Sequence, residues 1–217
     1  MVYKVSCRDF FIDGSLYLVF LYVYDLCSSW GLIVDFEETK NIITLHGLGF
    51  LQVKLEGNQR INVWHPDLPR RKCFEHSNIH NHRFGFVSRV LIGTQININY
   101  KFQKNAPHTH TAYLHEGKRT KFGNRPWDEG YNCKPIELGR QKVEAGGTYK
   151  ISAYEYHATQ TDGIVVTLMK KVFEGDEAAT SLCEIGVKPD VDFDRFQLSD
   201  NDMWEFFNDA MCHANKN

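Results

Sequence analysis

The stretch Ser77–Gly93, SNIHNHRFGFVSRVLIG, decides how the rest of the chain is interpreted. It places His80 and His82 two residues apart, directly before an apolar alternating run that ends at Gly93. Residues i and i+2 of a β-strand point to the same face, so the sequence predicts that both imidazoles lie on one side of a strand. Two neutral imidazoles on one strand supply half of a transition-metal site.

A third ligand is expected from His157, which lies in a second strand-like run, TYKISAYEYHATQT at 148–161. Glu155 shares a face with His157 in such a strand. It is predicted to be a fourth ligand, an acceptor that fixes the imidazole, or a general base, and a solvated strand-edge carboxylate is an equal alternative. Histidine pairs alone are not specific, because His108 and His110 repeat the same spacing.

Taken together, these motifs resemble those of the cupin superfamily. The spacing from His82 to Gly93 matches the first cupin motif, and Gly146 with His157 matches the second. Phe86 or Val87 stands where the first motif usually has its acidic ligand, so the resemblance implies metal ligation by three histidines, His80, His82 and His157.

Three-histidine cupins resemble the thiol dioxygenases, and IHNH followed by SRVLIGT is similar to their first motif. The resemblance implies an Fe(II)-dependent dioxygenase that acts on a small thiol or another small polar substrate. Zinc, another divalent metal or no metal are the alternatives to iron.

Three residues are predicted to bind the substrate. Arg60 opens a strand-like run, and thiol dioxygenases place an arginine similarly for the substrate carboxylate. Arg83 directly follows His82 and is expected on the opposite strand face. Tyr100 ends GTQININY, whose other face carries Gln95, Asn97 and Asn99; that polar face is predicted to be a solvated outer surface, with a cavity lining as the alternative.

A second function belongs to a different class. The same barrel, with or without metal, is predicted to bind or isomerise a small anionic ligand, such as a nucleotide, sugar nucleotide or sugar phosphate, without redox chemistry. Arg60 and Arg83 would hold the anion, because guanidinium groups pair with carboxylates and phosphates in a bidentate manner. Arg70 and Arg71 are interpreted as a solvated charged loop.

Composition limits the partners and the compartment. The chain has 217 residues, a net charge of −2 and 13% aromatic residues, which indicates one β-rich domain without a basic surface for nucleic acid. The apolar run Leu16–Tyr24 is too short to cross a membrane. Six scattered cysteines without a Cys-x-x-Cys pair favour reduced thiols and a cytoplasmic location.

The chain is predicted to be a single domain over residues 1–217. Residues 1–40 form an N-terminal helical segment, with a helix from Ser15 to Gly31; a buried strand and a signal peptide are the alternatives. Residues 41–174 form the barrel, interrupted at 104–144 by a long insertion. Within it, TAYLHEGKRT is predicted to form a hairpin arm that covers the pocket or pairs with another subunit in a homodimer. Residues 175–217 are a tail and a helix that is capped by Ser199 and Asp202.

Overall fold

The structure is a computed structural model that describes residues 42–103 and 107–213. The predicted N-terminal helix between Ser15 and Gly31, and its alternatives, lie outside these residues. The described part consists of β1 (Ile43–His46), β2 (Phe50–Leu55), β3 (Gln59–Trp64), α1 (Cys73–His76), β4 (Phe84–Ile92), β5 (Thr94–Gln103), β6 (His110–His115), β7 (Trp127–Glu144), β8 (Thr148–Ile151), β9 (Tyr156–Thr161), β10 (Val165–Glu174), β11 (Ala179–Glu184) and α2 (Asp200–His213).

The strands form two sheets, with the orders β1-β2-β3-β10-β4-β8 and β11-β6-β7-β5-β9. Their pairing is nested: β3 pairs with β10, the backbone at His80 pairs with β9, β4 pairs with β8, and β5 pairs with β7. These pairs make the chain one long antiparallel hairpin. The hairpin is coiled, because β4 also pairs with β10 and β5 also pairs with β9, and the result is a double-stranded β-helix. This result confirms the mainly β, jelly-roll prediction.

The second sheet is extended by a hairpin and curls onto itself. The β6–β7 hairpin and β11 widen it, and His80 bridges both His157 in β9 and Ser181 in β11, which joins its two edges. One small side chain or aliphatic side chain from each of six segments fills the space on the far side of this sheet: Ile79, Ile98, Ala112, Cys133, Ala158 and Leu182.

The prediction of an irregular insertion at 104–144 is wrong for β6 and β7, whereas residues 107–109 and 116–126 are irregular as predicted. β7 pairs with β5 from Lys134 to Glu144 as an integral strand of the jelly roll, and with β6 over its first half. The predicted arm forms in part: His110 begins β6, but the partner strand begins only at Trp127. Whether the whole chain is one domain stays a prediction, because residues 1–41 are not described.

The C-terminal helix packs on the outer face of the first sheet. The Ser199 Oγ lies 2.7 Å from an Asp202 carboxylate oxygen, and it accepts a hydrogen bond from the Asp202 N–H at 3.2 Å. This reciprocal cap confirms the predicted start of α2. The predicted apolar face is also confirmed, since the helix contacts β1 and β10 and four of its residues are buried there in the core: Met203, Phe207, Ala210 and Met211. No helix within the described residues is both long and apolar enough to cross a membrane.

Gly93 makes the tight turn between β4 and β5, which carries the chain from one sheet to the other. Its φ is +77°, and a Cβ atom there would lie 2.3 Å from the Ile164 carbonyl oxygen. Only glycine therefore fits this turn without strain. The glycine that marks the end of the predicted histidine motif is required by the backbone rather than by the site.

Replacing Gly93 with alanine is expected to reduce the free energy of unfolding by roughly 2–4 kcal/mol, because left-handed strain and a backbone overlap add together. Gly163→Ala is the matched control, since its φ is +70° and no atom lies within 4 Å of its added Cβ. Urea unfolding of both variants measures the difference. Equal losses in the two proteins would contradict the steric explanation.

Candidate metal centre

His80, His82 and His157 come together between the two sheets. One ligand atom from each imidazole lies within 4.8 Å of the others. The ring centroids of His80 and His157 are 4.5 Å apart, and those of His82 and His157 are 5.2 Å apart. His80 and His157 are buried, and His82 is half-buried. The sequence-based grouping of these three residues matches the geometry.

The local backbone differs from the prediction. His80 and His82 do not lie on the apolar strand, because β4 begins only at Phe84. Instead, the His80 N–H donates to the His157 carbonyl and the His157 N–H donates to the His80 carbonyl, both at 2.9 Å. This backbone pair fixes the two imidazoles side by side, since directly opposed residues project from the same face of a sheet.

Burial keeps the three imidazoles neutral. Loss of solvation is the main cause that lowers the pKa of His80 to about 3, and the charge of His157 is a smaller cause. Loss of solvation also lowers the pKa of His157 to about 4. The pKa of His82 is depressed well below its usual range, first by burial and then by the charges of His80 and His157. Neutral imidazole is the form that binds a metal ion.

Backbone carbonyls orient two of the rings. The His80 Nδ1 donates to the Asn78 carbonyl at 2.8 Å, and the His157 Nδ1 donates to the Glu155 carbonyl at 3.2 Å. A carbonyl oxygen can only accept, so the ring proton is on Nδ1 and the Nε2 lone pair is free to bind a metal. Such outer contacts are typical of histidine ligands.

The donor set suits a divalent transition metal. Three neutral nitrogen donors match the preferences of Fe(II), zinc and copper, and they leave coordination positions open for other ligands. Within the described residues, no carboxylate belongs to the cluster. The Glu155 carboxylate accepts a hydrogen bond from the Ser152 N–H at 3.0 Å instead. The prediction that Glu155 is a fourth ligand or base is therefore not supported, although its carbonyl positions His157.

The predicted substrate residues have different positions. Arg60 is half-buried on β3, with its guanidinium carbon 5.4 Å from the Phe84 ring centroid. The Phe84 ring in turn stacks on His82, with centroids 4.9 Å apart, and Arg60 lines a second cavity beside the one in front of His80 and His82. Burial lowers the pKa of Arg60 itself to about 9. Arg83 forms an ion pair with Glu174 at 3.2 Å, and both residues line a cavity in front of His80 and His82.

The assignment of Tyr100 to the substrate pocket is wrong. Asn99 is the residue that pairs with His157 across β5 and β9, and Tyr100 pairs with Tyr156. Because successive side chains of a strand alternate between faces, Tyr100 points away from the histidines. It packs instead against the apolar cluster around Ile98 on the far side of the second sheet.

The polar face of β5 lies inside the protein, which contradicts the predicted solvated surface. Gln95 and Asn97 are each 2% exposed. The Gln95 amide donates to the Asn97 Oδ1 and to the Tyr149 hydroxyl, both at 2.7 Å. Within the described residues, the Asn97 Nδ2 and the Asn99 Oδ1 are buried without a hydrogen-bond partner. Unpaired buried polar atoms next to His157 fit a water molecule or a polar ligand beside the histidine cluster.

A cavity of about 320 Å³ opens in front of His80 and His82. Six cationic side chains line it, together with one carboxylate, Glu174; the cations are Arg71, Arg83, Arg119, Arg125, Arg195 and Lys171. Arg71 was predicted in a solvated loop, but it is only 3% exposed and its guanidinium carbon lies 4.9 Å from the Trp127 ring centroid. The electrostatic character of the cavity is therefore strongly positive.

His115 also faces this cavity, and sequence reasoning missed it. Its Nε2 lies 2.9 Å from the Ser181 Oγ, and its ring centroid is 4.4 Å from that of Trp127. Burial, with smaller contributions from the charges of His80, Arg71 and Arg125, lowers its pKa to about 3. Ser181 pairs with His80, so His115 is connected through Ser181 to the cluster of His80, His82 and His157.

Nested strand pairing, with the histidines of both motifs brought to one point inside the jelly roll, identifies the fold. The chain has a cupin fold. No protein-family model matches this cupin, and no curated protein matches it.

A comparison with solved structures finds similarity at low identity to three chains. Drosophila melanogaster CENP-C bound to CAL1 is 9% identical, with 74% of this chain and 100% of that chain covered and a TM-score of 0.37. The Drosophila melanogaster CENP-C cupin domain is 9% identical, with 74% of this chain and 99% of that chain covered and a TM-score of 0.36. Hydroquinone 1,2-dioxygenase from Sphingomonas sp. TTNP3 with 4-hydroxybenzoate bound is 13% identical, with 55% of this chain and 62% of that chain covered and a TM-score of 0.27.

Proposed function

We propose that this cupin is an Fe(II)-dependent dioxygenase that acts on a small thiol or another small polar substrate. One observation carries the proposal: three neutral imidazoles, two of them buried and one half-buried, have ligand atoms within 4.8 Å of one another, and two of them have Nδ1 hydrogen-bonded to a carbonyl. A three-nitrogen site of this kind suits a metal with open coordination positions.

Each residue has a defined task in this proposal. His80, His82 and His157 hold the ion, and the carbonyls of Asn78 and Glu155 orient two of these rings. When bound, the ion supplies open positions at which the substrate and O₂ react. Arg60 binds the carboxylate of the substrate through its buried guanidinium, whose Nε has no hydrogen-bond partner within the described residues.

Oxygen consumption tests the reaction. Ferrous protein is expected to consume O₂ with a small thiol that carries a carboxylate, and Arg60→Ala is expected to weaken substrate binding by about 1.5–3 kcal/mol, the usual contribution of a hydrogen bond to a charged group. Arg140→Ala is the control, because Arg140 is exposed and paired with Glu137 at 2.7 Å. An oxygen electrode that records no uptake with a panel of small thiols and polar acids would exclude the dioxygenase.

A second candidate is a cupin that binds or isomerises a small anionic ligand without redox chemistry, with zinc, another metal or none. It is favoured by the cationic cavity, in which five arginines and a lysine face one carboxylate. An anionic ligand would then raise the melting temperature whether or not metal is present. Metal-dependent O₂ uptake together with ligand stabilisation only in the ferrous protein would exclude this candidate.

We further propose a cytoplasmic location and, through the β6–β7 hairpin, a homodimer, with no nucleic-acid or membrane partner. The location is supported by three buried cysteines of the described residues, which form no disulfide: Cys73, Cys133 and Cys183. Free thiols are expected in a reducing compartment.

A further inference from the structure

Three arginines from distant parts of the chain meet at the mouth of the cavity in front of His80 and His82. Arg119 and Arg125 belong to the loop 116–126 between β6 and β7, and Arg195 belongs to the segment before α2. All three line the same cavity. We refer to Arg119, Arg125 and Arg195 as the arginine cluster.

Neutral oxygens, not carboxylates, hold the cluster in place. The Arg195 Nε donates to the Leu45 carbonyl at 2.8 Å, and one of its terminal nitrogens donates to the Gln52 side-chain oxygen at 3.0 Å. Arg119 donates to the Gly123 carbonyl and Arg125 to the Gly117 carbonyl. These bonds orient each guanidinium but leave its charge uncompensated.

The nearby acids are occupied elsewhere. Glu174, the carboxylate in the cavity wall, pairs with Arg83 at 3.2 Å and with Lys171 at 3.6 Å. The negative charges of Asp190 and Asp192 favour the charged form of Arg71, whose guanidinium group lies over the Trp127 ring. Within residues 42–103 and 107–213, no member of the arginine cluster forms an ion pair with a carboxylate. Burial is the main cause that lowers the pKa of Arg195 to about 10, and the positive charges of Arg119 and Arg71 lower it further. The guanidinium groups therefore repel one another.

Uncompensated, oriented guanidinium groups in a cavity fit a multiply charged anion. One carboxylate carries a single charge and is satisfied by one bidentate guanidinium, whereas a phosphate carries up to two charges and offers three terminal oxygens. His46 adds a neutral donor to the same wall: its Nδ1 accepts from the Leu48 N–H at 3.2 Å, so its ring proton is on Nε2.

Space is available for a ligand larger than the anion alone. The cavity of about 320 Å³ adjoins another of about 360 Å³, and the two share Arg119, Arg195 and Lys171 in their walls. Cavities of this size accommodate small organic ligands. His80 and His82 line the first cavity, so a molecule anchored at the cluster can reach the metal centre.

We infer that Arg119, Arg125 and Arg195 bind the phosphate group of a small phosphorylated ligand, whose organic part extends toward His80 and His82. The position of the organic part rests on the proposed function, because it assumes that the histidines are the reactive centre. The phosphate site itself does not depend on the metal.

Calorimetric titration of the full-length chain, freed of metal with a chelator and held at constant ionic strength, tests the phosphate site. Pyrophosphate is expected to bind one site per chain, inorganic phosphate more weakly, and succinate at least tenfold more weakly than pyrophosphate. Arg119→Gln and Arg125→Gln are each expected to weaken pyrophosphate binding about tenfold or more, the usual effect of losing a hydrogen bond between charged groups. The melting temperature of each unliganded variant shows whether it is folded.

Lys121→Gln is the matched control, because Lys121 lies in the same loop but packs over Phe122 and does not line either cavity. Its affinity for pyrophosphate is expected to stay within twofold of the unmodified chain. Absent pyrophosphate binding, succinate binding of equal strength, or an equal loss in Lys121→Gln would overturn the inference. Because no metal is present, iron binding without pyrophosphate binding refutes this inference alone, and the reverse result refutes only the proposed function.

Discussion

His157→Ala is expected to abolish stoichiometric Fe(II) binding and all O₂ consumption. The substitution removes one of three nitrogen donors from a cluster that contains no carboxylate among the described residues. It also leaves the two remaining imidazoles, His80 and His82, in a desolvated site. Two imidazoles hold iron poorly at neutral pH, so the affinity is expected to fall by at least two orders of magnitude, beyond the effect of removing an outer contact. Iron content after gel filtration measures the change.

His76→Ala is the matched control for this substitution. His76 is exposed in the last turn of α1 and is not a member of the cluster, so its loss should leave both metal content and turnover unchanged. Retention of one iron per chain in His157→Ala, with a melting temperature equal to that of the unmodified protein, would disprove ligation by His157.

Acid is expected to unfold the metal-free protein at a mild pH. The folded-state pKa values of His80, His115 and His157 are about 3, about 3 and about 4, below the value near 6.5 of an unfolded chain. As the pH falls below 6.5, the unfolded state takes up protons that the folded state does not, so the free energy of unfolding decreases. At pH 5 each histidine contributes a loss of about 2 kcal/mol, or about 6 kcal/mol for the three.

That loss is comparable with the whole stability of a typical domain, about 5–15 kcal/mol. Urea unfolding at pH 7.5 and at pH 5 measures it. His115→Asn is expected to reduce the difference between the two pH values by about 2 kcal/mol, because it removes one titrating group. A free energy of unfolding that does not change between pH 7.5 and pH 5 would show that these histidines are solvated.

Local patterns predicted the elements whose partners are near in sequence. The reciprocal cap of Ser199 and Asp202 needs only three residues, and Gly93 is required by a single turn. His157 is separated from His80 by most of the barrel, yet their grouping was predictable because each lies at a fixed distance from a glycine turn in its own motif. Spacing therefore predicted both the fold and the grouping of the three histidines.

Facing directions and long-range neighbours were less predictable. Gln95 and Tyr100 lie on opposite faces of β5. The alternation of side chains shows that the strand has a polar face and an apolar face, but it does not show that the polar face is the one turned toward the histidines. Arg195 reaches the cavity from the segment before α2, and Arg119 reaches it from the β6–β7 loop. Nothing in the sequence near either residue relates it to the histidines, so the cationic cavity became visible only in three dimensions.

Anaerobic titration of the metal-free, untagged chain with Fe(II) tests the central claim most directly. One ion per chain is expected to bind, and each of the variants His80→Ala, His82→Ala and His157→Ala is expected to lose this binding. X-ray absorption of the loaded protein should show imidazole nitrogen as the protein ligand. Absence of saturable binding, or undiminished binding in all three variants, would contradict the assignment of a three-histidine metal centre.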